Sequence, residues 1–151
     1  MRRVIASLLI LVMMFSIISV TASASSPEGR AVSTTTEYLE NGDYVVTTVF
    51  ESTIQFRTGK TGYKTSTYYN GSGTKIFDVT VTGTFNYSYG SKASATSASA
   101  SVNIYNSGAS FISKNAYTSS NSAVGLGQVR YGGAPINRSV ILKCDVYGNL
   151  Y

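Results

Sequence analysis

The 151-residue chain has no histidine, no tryptophan, one cysteine and two prolines, and only 13% of its residues are charged. Each shortage excludes something. Without histidine there is no Ser-His-Asp or Cys-His catalytic site. One cysteine and no histidine leave almost nothing for a zinc site. A lone cysteine, Cys144, forms no intramolecular disulfide. Nor is there a window with apolar residues at helical spacing, or a run of lysine and arginine. The net charge of +5 is scattered, and two of its cations, Arg2 and Arg3, lie at the extreme start. A nucleic-acid groove or a polybasic membrane patch needs clustering, so neither is expected.

What is present begins with an address. Met1, Arg2 and Arg3 form a positive start, and the stretch from Val4 to Val20 is apolar but for scattered serines. Ala22 and Ala24 then stand at the small-residue positions of a cleavage site. This is the layout of a secretory signal peptide over residues 1–24, cleaved between Ala24 and Ser25. The apolar stretch is short for an uncleaved span of about 20 residues. The expected location is secreted or extracellular, released or loosely attached to the cell wall, with no stable membrane insertion. Residues 25–32, containing Pro27 and Gly29, read as a flexible tail, and residues 33–151 as a single domain.

That domain is rich in Thr, Tyr, Val and Ser, with repeated period-two alternation, which signals strands. "TTTEYLE" and "YVVTTVFE" flank Asn41-Gly42, a strong hairpin signal. "NGSG" separates "TGYKTSTYY" from the clearest strand, "KIFDVTVTGTFNYSYG". Its odd positions are Phe77, Val79, Val81, Gly83, Phe85, Tyr87 and Tyr89, and its even positions from Asp78 are polar. Gly83 on the apolar side predicts a kink, or a close approach of a facing backbone, in a strand longer than the usual 3–10 or so residues. Ala98 and Ala100 supply small residues on the neighbouring run. The last strand, Ile136 to Tyr147, turns Ile136, Val140, Leu142, Cys144 and Val146 inward, with Arg138 as the misfit whose stem reaches water. The total is about eight antiparallel strands, an all-β sandwich with Ig-like or barrel-like variants open.

The stretches "YLENGDYVVTT", "KTSTYYNGSGTKIFDVTVTGTFNYSYG", "ATSASASVNIYNS" and "VILKCDVYGNL" resemble a group of small exported β-rich proteins of Gram-positive, clostridia-like bacteria, a family of unknown function. The resemblance runs from about Tyr38 to Leu150. It implies an exported β-sandwich-like protein and no particular activity. It also implies, in similar proteins, a cysteine near the position of Ala95 paired with one at Cys144. Such a bridge contributes roughly 4 kcal/mol for a loop of about 50 residues. Its loss here leaves Cys144 as a buried, free and inert thiol.

No motif carries chemistry. Glu37, Glu40, Glu51, Asp43, Asp78 and Asp145 are the acids outside the tail, and each reads as a solvated charge, not as half of a hydrolytic pair. "ENGD" lacks the acid density of a calcium loop. The glycines of "GLGQVRYGG" lie in a strand context, not before a helix. No cofactor is expected and no catalysis. Twelve tyrosines are the remaining hint. Tyr68 is out of phase with Tyr63 and Tyr69, and Tyr147 with the core face of the last strand. These two are the ligand-stacking candidates, though tyrosine is also a good strand former. The expected role is non-catalytic binding or structure at or outside the cell envelope. The expected partner is a cell-wall or host glycan or another protein. The alternatives are a secreted carbohydrate-binding module, marked by coplanar exposed tyrosines, a bacteriocin-like or toxin-like small β protein, and a hydrolase, which would need two facing carboxylates in a cleft.

Overall fold

A computed structural model of the chain describes residues 29–53 and 59–151. The signal segment and the Ala24–Ser25 junction lie outside the described residues. Eight strands follow in order: β1 (Gly29–Tyr38), β2 (Tyr44–Ser52), β3 (Gly59–Tyr69), β4 (Lys75–Ser88), β5 (Lys92–Ile104), β6 (Ala109–Ser119), β7 (Ser122–Tyr131) and β8 (Ala134–Lys143). They form two antiparallel sheets, β1-β2-β3-β4-β5 and β6-β7-β8. The alternating sequence therefore gives an all-β, eight-stranded sandwich. Each sheet is an up-and-down meander, so the crossed strand order of the Ig-like variant is absent.

The turns set the register. Gly42, at φ 83°, closes the β1–β2 turn, where the Gly42 amide donates to the Leu39 carbonyl at 3.0 Å. Between β7 and β8, Gly132 and Gly133 both take positive φ, the two-residue hairpin geometry that suits right-handed strand twist. Asp43, weighed above as a calcium site, has a structural task. It accepts from the Asn41 side chain, the Gly71 amide and the Tyr68 hydroxyl, and so pins the first turn to the second.

The core lies where β7 and β8 cross the middle of the larger sheet. Phe77, Val79, Val81 and Phe85 of β4 are fully buried, as are Ala123 and Val129 of β7 and Leu142 of β8. Small residues on β7 oppose larger ones on β4. A Cβ added to Gly127 would meet Val79 at 2.5 Å, and one added to Gly125 would meet Val81 at 2.8 Å. The reading of Gly83 holds for close approach, but its partner differs from expectation. Ala98 is its neighbour within the sheet, and the residue facing it across the core is Ala123 of β7.

Two boundaries and one burial differ from what the sequence predicts. Gly29–Val32, assigned to a tail, belong to β1, because their backbones pair with β2 through a bulge between Ala31 and Ser33. Asp78, taken as a solvated charge, is buried. The last strand ends at Lys143, not Tyr147: the chain turns at Asp145–Asn149 and returns, so that Cys144 bridges Leu150 and Lys143 exchanges hydrogen bonds with Tyr151. Cys144 is free and fully buried, beneath this hook and not within a continuing strand. Ala95 and Cys144 donate their amides to the adjacent carbonyls of Ser120 and Asn121.

Asp145 builds the hook. Its carboxylate accepts from the Tyr147 and Asn149 amides and from the Asn149 side chain, each at 2.8 Å. The Asn149 side chain foremost, with the backbone amides, holds the Asp145 carboxyl below its ordinary value. A depressed folded value gives stability that is complete above the unfolded value, near pH 4, and lost as pH falls through the folded one. Asp145→Asn is therefore expected to be less stable than wild type at pH 7, with the difference closing in acid below the folded value. Urea midpoints at the two pH values decide it. A gap of equal size at both would mean that the charge has no role in the hook.

Candidate functional site

Alternation along each strand, combined with the turn-set register, aligns residues in rows on the outer face of the larger sheet. One row runs Thr34, Thr48, Thr65, Thr80 and Ser101 across all five strands. On one side of it runs Phe50, Tyr63, Thr82 and Ser99, and on the other Val46, Thr67, Asp78 and Asn103. Neighbouring hydroxyls pair, at 2.8 Å for Thr65–Thr80 and 3.2 Å for Thr34–Thr48. An open trough of about 340 Å³ crosses β2 to β5 here, with Phe50 and Tyr63 at one side and Asp78 at the other.

Asp78 is the polar anchor. Its Oδ2 accepts from Lys75 Nζ at 3.0 Å and from the Tyr105 hydroxyl at 2.7 Å, and its Oδ1 from Asn103 Nδ2 at 2.9 Å. Lys75 Nζ also sits 3.6 Å above the centre of the Tyr105 ring. A buried carboxylate needs such pairing to offset lost hydration. Burial alone pulls the Lys75 ammonium down, but hydrogen bonds to Tyr105 and Asp78 and the charge of Asp78 outweigh it, and the net shift is upward. Burial first, then the bond to Asp78, raises the Tyr105 hydroxyl. Both groups therefore remain proton donors at neutral pH, and the network presents one anion against one cation in a fixed geometry.

Phe50 and Tyr63 stack with centroids 4.5 Å apart. At the far edge of the same face Tyr44 stacks on Tyr69 at 4.9 Å, with Tyr38 tilted against it at 5.7 Å. These rings cover one another's faces, so the row is a ladder and not a coplanar platform.

Neither tyrosine picked from the sequence belongs to this site. Tyr68 points inward, is 4% exposed and stacks on Phe77, because its phase puts it on the core face. Tyr147 is exposed, but it packs edge-on against Tyr89 beside the β4–β5 turn, away from the trough. Asp78, Lys75, Asn103 and Tyr105 were missed as a group. The available signal was the Thr-x-Thr-x-Thr spacing of Thr80, Thr82 and Thr84, which marks a hydroxyl-bearing face. Of the described carboxylates Asp78 alone lines the trough, and the described residues contain no group of three or more metal-ligating side chains.

A second open hollow, of about 480 Å³, lies on the outer face of the smaller sheet around Leu126, with neutral Asn115, Gln128 and Asn137 as its amides. Lys114 and Arg138 also line it, and no carboxylate does. No family model, curated protein or solved structure matches the chain.

Proposed function

We propose that this protein is an exported, non-catalytic binding protein acting at or outside the cell envelope, and that the outer trough of its larger sheet takes a hydroxyl-rich ligand, a cell-wall or host glycan. Export rests on the positive start, apolar run and small-residue exit of residues 1–24. The observation carrying the ligand class is the Asp78 network. An ionised carboxylate has about four acceptor sites, and the bonds from Lys75, Tyr105 and Asn103 use three. Asp78 borders a trough lined by threonine hydroxyls that both donate and accept, beside the Phe50–Tyr63 pair. Sugar hydroxyls match the first two features, and the half-buried Phe50 adds apolar contact for the carbon-bearing side of a sugar.

The test is a glycan array probed with residues 25–151 and with a Thr65→Val/Thr80→Val variant. Replacing both members of a hydroxyl pair by groups of the same shape is nearly neutral for stability. The variant therefore keeps the fold while losing the donors. We expect retention on at least one glycan class and a loss of about tenfold or more in the variant, the size of one lost hydrogen bond or two. No binding by the parent, or equal binding by the variant, overturns the reading.

A further inference from the structure

The two sheets are unequal, and the excess has a chemical character. The smaller sheet ends at β8, which packs on β3 and β4, so that β1 and β2 lie beyond it. Beside Val45 and Val49, the inner face there turns polar. It carries Thr35 and Glu37 of β1, Thr47 of β2, and Lys64 and Ser66 of β3, and Arg138 of β8 reaches across to it. These residues line a cleft of about 370 Å³ between the sheets. Arg138 reaches water only in part, across this cleft. Its side chain is largely covered, and its Nε is buried with no hydrogen-bond partner.

The cleft holds more positive charge than it neutralises. Arg138 meets only Glu37, at 3.7 Å, and the Glu37 side chain is 69% exposed, so the pair is weak and screened. Lys64 stands on the core face of the sheet, and among the described residues it makes no ion pair. Burial, and then repulsion from Lys143 at the end of β8, lower its pKa. An unpaired, partly buried ammonium costs stability. By contrast, the other inner-face lysine at this side, Lys60, is paired with Glu51.

We infer that the cleft between β8 and the overhanging β1–β3 face is a binding site for an oxyanion, a carboxylate, phosphate or sulfate group, held by Arg138 and Lys64 with the hydroxyls of Thr35, Thr47 and Ser66. The guanidinium offers a planar donor fork, the ammonium adds a point charge, and the hydroxyls complete the shell. Glu37 is the resident counter-charge that an incoming anion displaces. The site lies on the opposite face of the larger sheet from the Asp78 trough, so either can fail without the other.

The experiment is a thermal-unfolding titration with sodium phosphate, sulfate and acetate, each against sodium chloride at equal ionic strength. Polyphosphate and polygalacturonate form a second arm, to separate a free ion from a group on an acidic polymer. Wild type should show a saturable rise in Tm with an oxyanion or an acidic polymer beyond that in chloride. Lys64→Met should weaken that binding by about tenfold or more, while its own Tm without ligand holds or rises, since an unpaired charge leaves the inner face. Glu37→Gln should bind more tightly than wild type. A response to polymer alone identifies a polymeric acid, and a response to free ions a small anion. No saturable rise in either arm overturns the inference, as does a rise that Lys64→Met leaves intact.

Discussion

Gly83→Val lowers the urea midpoint, while Thr82→Val, one residue away on the outer face, leaves it unchanged or raises it. The asymmetry comes from packing. A Cβ at Gly83 would stand 2.6 Å from the Ala123 Cβ and 2.8 Å from the Phe85 ring, and valine adds two further methyls. Phe85 and Ala123 are both fully buried, so neither has room to withdraw. Overpacking of this kind costs about 1–3 kcal/mol. Valine's preference for strands spans at most about 1 kcal/mol in the opposite direction, so sterics win. Gly83 is not among the positive-φ glycines, and the expected loss owes nothing to backbone strain. Equal midpoints for Gly83→Val and the parent would mean that β7 does not press on β4 at this point.

Leu150→Ala is expected to cost about 2–5 kcal/mol, toward the lower end because the site is at the rim of the core. It should also make Cys144 reactive. Leu150 is 9% exposed, its side chain fills the space over Gly62, and its backbone bridges Cys144. In the parent, burial first, then Asp145, raises the Cys144 thiol above its ordinary value. A raised pKa and no access together make it inert. Ellman's reagent should therefore label the native parent only in denaturant and label Leu150→Ala without it. Tyr151→Ala is the control: the side chain is half exposed, its pairing with Lys143 is through the backbone, and surface changes of this kind stay within about 0.5 kcal/mol. Rapid labelling of the parent would show that the hook does not seal the thiol.

The fully buried thiol is where the sequence reading and the structure agree for different reasons. Alternation through Val140, Leu142 and Cys144 correctly turns the cysteine inward. Continued through Val146, the same alternation runs the strand too far, because Asp145 captures the amides two and four residues on and bends the chain back. A side-chain competitor for backbone donors beats a two-residue period. Tyr68 shows the complementary error. Its phase opposite to Tyr63 and Tyr69 was read correctly, but phase alone does not say which side is wet, and the side of Tyr68 is the core.

By itself the sequence determined the class and the strands: period-two alternation, Asn-Gly and glycine-rich turns, and the apolar side of β4 with its gap at Gly83. These are local quantities, fixed by side-chain period and by φ at single residues. Tertiary structure decided what those faces meet. Asp78 is a buried anchor only because Asn103 and Tyr105, 25 and 27 residues later, arrive over it on β5 and just beyond. Arg138 and Lys64 share a cleft only because five strands face three, so that part of one inner face has no cover. Both depend on register and sheet width, which are set by long-range pairing and leave no periodic mark on the residues that carry them.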